Sequence, residues 1–223
     1  VNGNTWLLNG QKQNLAGAPG LIASTLTWER VSSWNVGFDL QALNNRLGIG
    51  FELYQRNTYN MIGPAPELPV ILGTAVPRLN NAEMNSKGVE LEVNWKDNIG
   101  NFNYAVRGVF SDDRQTVTEY PNLTGTLDTW YNGQRVGEIW GYTTVGLAKT
   151  QEEMDAHLAH TKQNFASQWL AGDIMYQDLN GDGMVSAGSN TITEHGDLSI
   201  IGNRMPRYRY SLDLSGSYKG FDF

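Results

Sequence analysis

Oxygen-bearing side chains at alternate positions make Asp178-Leu179-Asn180-Gly181-Asp182-Gly183-Met184 the segment best suited to ion chemistry. Asp178, Asn180 and Asp182 supply oxygens at positions 1, 3 and 5 of a calcium loop, Gly183 permits the sharp turn at 6, and Met184 offers its carbonyl at 7. Position 12 is Ser189 and not a bidentate glutamate. Glu194 or Asp197 would complete the shell from further along. The same residues also favour an Asx/Gly turn without an ion, and both readings stand. A calcium ion here would pin a loop rather than drive a reaction.

The second chemical feature is aromatic. Trp130, Tyr131, Trp140, Tyr142, Trp169 and Tyr176 fall in one long segment. Flat rings stack on the C–H faces of sugars, and rings equally pack loop cores. Packing is the favoured reading for any single ring. Trp130 and Tyr131, in a polar Gly/Thr-rich setting, are the candidate substrate-stacking pair.

Catalysis finds no support. There is no Gly-x-Ser-x-Gly elbow, no His-Glu-x-x-His and no phosphate loop. His157 and His160 lie at i,i+3 on an expected helix but lack a third ligand, so they read as solvated surface residues. The adjacent acids Asp112-Asp113 and Glu152-Glu153 point apart on a strand or helix and make poor acid/base pairs. The chain is read as a non-enzyme.

The elements that must hold these residues are strands. Trp34, Val36, Phe38 and Leu40 alternate with polar residues, as do Leu47, Ile49, Phe51 and Leu53; Asn44-Asn45 joins the two runs in a hairpin. Val89, Leu91, Val93 and Trp95 lead through Asp97–Asn101 to Phe102, Tyr104, Val106, Gly108 and Phe110. Tyr208, Tyr210, Leu212, Leu214, Gly216 and Tyr218 form the fifth run. The opposite face carries Asp39, Glu52, Glu90, Glu92, Arg107, Arg209 and Asp213, with Arg207 at the head of the last run. Such charges either line a path or pair across strands.

The gaps between runs are alternately short and long, with long loops expected at about 57–86 and 113–205. Gly63-Pro64-Ala65-Pro66 and Pro69 exclude helix and central strand from the first. In the second, Thr150-Gln151-Glu152-Glu153 is a capping box that starts one short helix, ending near His160. Residues 1–27 read as a loop and 28–223 as the strand-bearing part. Tight turns on one side and large loops on the other are the pattern of an outer-membrane β-barrel, and aromatics near strand ends suit its interfacial girdles.

Composition agrees. The 223 residues contain no cysteine, which removes disulfides and thiolate sites, and 25 glycines. A net charge of −7 argues against nucleic acid. No apolar run approaches the ~18 residues of a spanning helix. Val1–Gly20 is polar and unlike a signal peptide, so an export signal would lie outside this sequence.

A series of motifs then points to one family. It runs Gly63-Pro64-Ala65-Pro66-Glu67-Leu68-Pro69, Asn80-Asn81-Ala82-Glu83-Met84, Lys87-Gly88-Val89-Glu90-Leu91 and Gly137-Glu138-Ile139-Trp140-Gly141-Tyr142. It continues with Asp178–Gly183, Ile201-Gly202-Asn203, Pro206-Arg207-Tyr208 and Lys219-Gly220-Phe221-Asp222. In this order they resemble the SusC-like (SusC/RagA) TonB-dependent transporters of Bacteroidetes outer membranes. The resemblance runs from about Leu26 to Phe223.

That resemblance implies an all-β fold: antiparallel strands from a late segment of a 22-stranded barrel, in the outer membrane of a Gram-negative bacterium. It implies a SusD-like surface lipoprotein as lid, energy from TonB, and uptake of oligosaccharide or peptide. Against the family pattern, the signal peptide, plug, TonB box and final strands are absent, so Phe223 is not the closing aromatic of a finished barrel. Lipid would cover the apolar face. The competing reading is a secreted, calcium-stabilised carbohydrate-binding β-sandwich, in which a second sheet would hide that face.

Overall fold

The computed structural model describes residues 7–8, 11–12, 22–65 and 76–223. Pro66–Pro69 of the proline-rich run, and most of the segment expected as loop 1–27, lie outside the described residues. Within that first segment, β1 (Leu7–Leu8) and β2 (Gln11–Lys12) form a two-residue antiparallel ladder.

Four long strands follow: β3 (Arg30–Ala42), β4 (Leu47–Gly63), β5 (Leu79–Ile99) and β6 (Phe102–Glu119). The chain then passes through β7 (Glu138–Tyr142), β8 (Thr144–Leu147), α1 (Gln151–Leu158), β9 (Lys162–Gln163), β10 (Ile174–Tyr176), β11 (Met184–Val185) and β12 (Leu198–Asn203). It returns as β13 (Tyr208–Tyr218) and β14 (Phe221–Asp222). One six-stranded sheet runs in the order β14-β13-β6-β5-β4-β3, antiparallel throughout. All five alternating runs of the sequence lie in it.

Its register aligns the apolar residues into rows. Phe38, Phe51, Leu91, Phe110 and Tyr210 are cross-strand partners, as are Leu40, Ile49, Val93, Gly108 and Leu212. A one-residue slip in any strand would turn its apolar set to the polar side, so this belt fixes the register. Among the described residues no second sheet covers the belt: Phe38 is 57% exposed and Leu212 66%. An exposed apolar surface of this extent belongs against lipid, not water. The sandwich reading requires the opposite.

The three tight connections share one end of the sheet. Leu43, Asn44 and Asn45 all take positive φ between β3 and β4, a conformation asparagine tolerates through its short polar side chain. Gly100 (φ 61°) serves the β5–β6 turn, and Lys219 and Gly220 the β13–β14 turn. The two long connections leave from the opposite end.

The strands run further than their alternation. The expected loop at 57–86 is strand through Gly63 and again from Leu79, and the one at 113–205 begins only after Glu119. A transmembrane strand needs only ~9–11 residues, whereas β5 has 21. Beyond the bilayer neither face must be apolar, so Asn57, Thr58, Asn85, Ser86 and Thr116 keep the ladder but lose the period-two signal. At this height a bulge around Asn60 (φ 57°) is clipped by Asn80. The Asn80 Nδ2 donates to the Asn60 carbonyl at 2.6 Å, while Oδ1 accepts the Thr27 amide at 2.7 Å.

Candidate functional site

The polar face of the sheet and the folded segment above it make up the candidate site. On the polar face Gly37, Glu52, Glu90, Ser111 and Arg209 form one row; Gln41, Gly48, Asn94, Arg107 and Asp213 form another. Arg107 bridges two strands, 2.7 Å from Glu92 and 3.6 Å from Asp213. Glu52 accepts from Asn35 Nδ2 at 2.7 Å. Asp113 collects three neutral donors: Tyr54 Oη at 3.2 Å, Ser86 Oγ at 2.9 Å and Gln115 Nε2 at 3.4 Å. Tyr54 reaches Asp113 because Gly88, between them on β5, leaves room for its ring. Together Glu52, Tyr54, Arg56, Ser86, Glu90 and Asp113 line a groove of about 440 Å3. This surface presents hydrogen-bond acceptors at many points.

The long segment between β6 and β13 is folded, not slack. Helix α1 begins as the capping box requires: Thr150 Oγ accepts the Glu153 amide at 3.3 Å. Glu153 reaches back one residue further than expected, accepting the Lys149 amide at 2.7 Å. The helix ends at Leu158, two residues before the expected limit. Its Met154 is fully buried with Ala148 and Met175, and Leu158 and Trp169 pack on that cluster. Tyr142, Phe165, Trp169 and Tyr176 pack as a connected set of rings with centroids 4.7–6.5 Å apart. His157 bonds Gln163 Oε1 at 3.1 Å; His160 is exposed. Gln163, 4% exposed, also donates to the Ile174 carbonyl and accepts the Tyr176 amide. Nothing in the sequence distinguishes this glutamine.

Trp130 and Tyr131 do not form a stacking pair. Tyr131 is 8% exposed. Its hydroxyl donates to Glu138 Oε2 at 2.7 Å and accepts from Trp140 Nε1 at 3.2 Å. Burial, and then the Glu138 carboxylate, push its pKa up to about 12. A buried ring whose hydroxyl is already engaged in the loop core has little surface to offer a sugar, so Tyr131 acts as a structural residue. Trp130 packs edge-on against Tyr120, centroids 5.6 Å apart, and stays half-buried.

The motif Gly137–Tyr142 thus acts as architecture. Gly137 takes φ 86°, Glu138 holds both Tyr131 and the Arg135 amide, and β7 pairs with β12, which carries Ile201-Gly202-Asn203. Asn203 returns to the Val136 carbonyl at 3.1 Å, tying the segment's two ends together above the sheet.

In the acidic turn, Asp178 accepts the Gly181 amide (2.6 Å) and the Gly183 amide (2.8 Å), and these amides hold its carboxyl below the ordinary aspartate value of 3.8, Gly183 most of all. Asn180 Oδ1 accepts the Asp182 amide and Asp182 Oδ1 the Met184 amide. Asp197, fully buried, joins them: Oδ1 accepts the Leu179 and Asn180 amides and Oδ2 the Ser186 amide at 2.8 Å. Of the two candidates for the closing carboxylate, Asp197 reaches the turn, whereas Glu194 bonds the Ser189 amide. Asn180 Nδ2 donates to Asp182 Oδ2, so these two side chains meet each other. Among the described residues no three His, Cys, Asp or Glu side chains group at metal-holding distance.

Comparison with known proteins agrees with this geometry. The family model for the TonB dependent receptor-like β-barrel matches residues 3–222. TonB-dependent receptor P3 of Formosa agariphila is 24% identical over 212 residues, covering 88% of this chain and 20% of that protein. TonB-dependent receptor SusC of Bacteroides thetaiotaomicron is 24% identical over 215 residues, covering 92% of this chain and 20% of SusC. In fold, the chain resembles the RagAB peptide transporter, with a TM-score of 0.62 at 20% identity over 99% of this chain and 23% of that one. The same importer in its closed-closed state gives 0.61 at 22% identity. The chain spans about a fifth of the length of these curated relatives. It belongs to the TonB-dependent receptor β-barrel family, with SusC-like relatives, and corresponds to a stretch of barrel wall and loop in the outer membrane of a Gram-negative bacterium.

Proposed function

We propose that this segment forms part of the wall and outer mouth of an importer that takes up oligosaccharides or peptides. Energy arrives through TonB, and a SusD-like lipoprotein closes the outer side. The observation that carries the reading is the two-faced sheet: an uncovered apolar belt on one side and a charged, acceptor-rich face on the other, beneath a folded loop. A lipid-facing wall with a polar interior serves passage of a polar solute. Similarity to SusC and to a peptide importer supports a nutrient cargo. The loop, with Trp130 and Tyr120 half-buried on it, is the part that cargo and lid would meet first.

Calcium on the Asp178–Gly183 turn, with Asp197 as the closing carboxylate, is the second part of this reading. It is supported by oxygen ligand types at alternate positions and by the buried Asp197 carboxylate beside Asp178. Its role would be structural, holding the loop for the lid.

The test is to tag the full-length protein in its native host, extract it in mild detergent, and identify what co-purifies. A stoichiometric SusD-like lipoprotein, together with loss of growth on one glycan or peptide source when the gene is deleted, is expected. A protein found only in the soluble fraction would overturn the reading.

A further inference from the structure

Just above the apolar belt, the lipid-facing side of the sheet changes character. The last row in which β3, β4 and β5 are all apolar is Val36, Leu53 and Val89, continued by Asp112 on β6 and Tyr208 on β13. The next row toward the long connections is Trp34, Gln55, Lys87 and Arg114. One row further on, Thr116 faces Arg135. Segment 133–136 supplies that arginine by continuing the ladder along β6 where β13 has stopped: the Val136 amide donates to the Gln115 carbonyl and the Val117 amide to the Gln134 carbonyl. Cross-strand partners share a face. Lys87, Arg114 and Arg135 therefore all lie on the side of Leu91 and Phe110, away from the polar face that carries Glu52, Glu90 and Arg209.

All three side chains are exposed. Lys87 and Arg114 are direct partners, which places their Cβ atoms about 4.5–5.5 Å apart, and like charges so placed repel unless an anion lies between them. Asp112, one row below, is held by Arg207 at 2.8 and 2.9 Å in a bidentate pair and meets Arg114 at 3.3 Å. β5 has β4 and β6 on its two sides, and β6 has β5 on one side and β13 followed by segment 133–136 on the other. Strands from elsewhere in a longer barrel extend this wall sideways and do not insert into these rows. What meets the lipid face at this height is the headgroup layer of the bilayer. Trp34, in the same row as Lys87 and 51% exposed, is the kind of amphipathic ring that sits in that layer.

We propose that Lys87, Arg114 and Arg135 form a strip that binds the phosphate groups of outer-leaflet lipid. The long connections of an outer-membrane barrel lie on the outer side, where the lipid is phosphorylated glycolipid. Basic residues immediately beyond an apolar surface attract anionic headgroups, each strengthening attachment by about fivefold. Their long stems lie along the apolar surface while the charged heads reach the phosphate layer. The guanidinium fork matches a phosphate in two hydrogen bonds, and the ammonium acts beside it as a point charge. Lys87 and Arg114 belong to the wall and Arg135 to the folded loop, so lipid bound along the strip would tether the root of the loop to the membrane surface. The inference rests on the lipid-facing assignment of the belt and not on the identity of any cargo.

The test uses full-length transporter purified in mild detergent and stripped of lipid, with phosphorylated lipid A and its dephosphorylated form as paired probes in a binding titration at low salt. The phosphorylated form should bind more tightly, and its affinity should fall by about tenfold or more in the Lys87→Gln/Arg114→Gln/Arg135→Gln variant. The three residues are exposed, so the variant should keep its fold, which heat-modifiable migration on a gel verifies. Arg135→Gln alone, outside the long strands, should lower the affinity about fivefold. Arg56→Gln/Arg209→Gln removes two exposed cations of the polar face and should bind lipid as wild type does. Equal binding of the two lipids, equal binding by wild type and triple variant, no binding by wild type, or an equal loss in the polar-face variant overturns the strip. So does displacement of the lipid by equimolar inorganic phosphate, which would leave an adventitious ion only. Phosphate-dependent lipid binding by a protein that imports neither glycan nor peptide sustains the strip and removes the import reading instead.

Discussion

The Tyr54 hydroxyl donates to the Asp113 carboxylate at 3.2 Å, crossing from β4 to β6 over Gly88 of the strand between them. The bond joins strands that are not neighbours and ties three strands at one height. A Cβ on Gly88 would fall within the Tyr54 ring. Gly88→Ala should therefore expel the ring and break the bond, whereas Tyr54→Phe should only lose the hydrogen bond, costing about 0.5–1.5 kcal/mol. Thermal unfolding of the full-length barrel in detergent should rank Gly88→Ala as the more damaging. The reverse ranking would show that the ring does not sit over the glycine.

The apolar belt makes a sided prediction. Leu91→Arg places a charge in the middle row of the belt, beside Phe51 and Phe110, and should cost about 2–4 kcal/mol near the bilayer midplane. Its neighbour Glu92→Gln, on the polar face, should alter an ion pair with Arg107 that is more than a third exposed and a bond from Asn94, and leave folding into lipid vesicles nearly unchanged. Similar folding yields for both variants would contradict the assignment of faces.

Tyr131 ties the loop's stability to alkaline pH. Its folded pKa is raised to about 12, burial being the first cause. The folded loop therefore favours the neutral phenol: the stabilisation is complete below the ordinary value of 10.0 and is lost as pH climbs toward 12. Tyrosinate absorbance and tryptophan fluorescence should report loop opening in that window. Tyr131→Phe should abolish this step and, by removing the partner of Glu138 Oε2 and of Trp140 Nε1, cost about 1–3 kcal/mol at neutral pH.

Asp197 should govern the acidic turn. Its carboxylate serves three amides while fully buried, so Asp197→Ala leaves them unpaired and should make the segment 178–197 the first site of limited proteolysis. Asp178 adds an acid limit. Its folded pKa lies below 3.8, so the turn keeps its full stabilisation above that value and loses it as pH falls through the folded pKa. Calcium should slow proteolysis of wild type and not of Asp182→Ala. No protection at millimolar calcium would remove the ion from the turn.

Thr150→Ala tests whether the helix depends on its cap. Loss of the Thr150–Glu153 bond should cost about 1 kcal/mol, read as greater protease sensitivity in 151–163. An unchanged cleavage pattern would mean that Met154 and its neighbours hold the helix unaided.

The sequence by itself determined the sheet, because bilayer and polar interior impose opposite demands on alternate residues, and that demand is written as period two in all five runs. It also marked the tight turns through Asn44-Asn45 and Gly100, and the helix start through Thr150, because turn and cap chemistry are local. It could not mark where the strands stop. Above the bilayer, ladder bonds between backbone groups hold β4, β5 and β6 together, and residues such as Asn57, Asn85 and Thr116 leave no periodic trace. Nor could it say which of the loop's rings face inward: Tyr131 looked available because its neighbours in sequence are polar, and it is buried because Glu138 and Trp140 close over it in space. The gathering of Lys87, Arg114 and Arg135 on one face was equally out of reach. They are far apart in the chain, and only the ladder of β5 on β6 and the return of the loop to the edge of β6 bring them together.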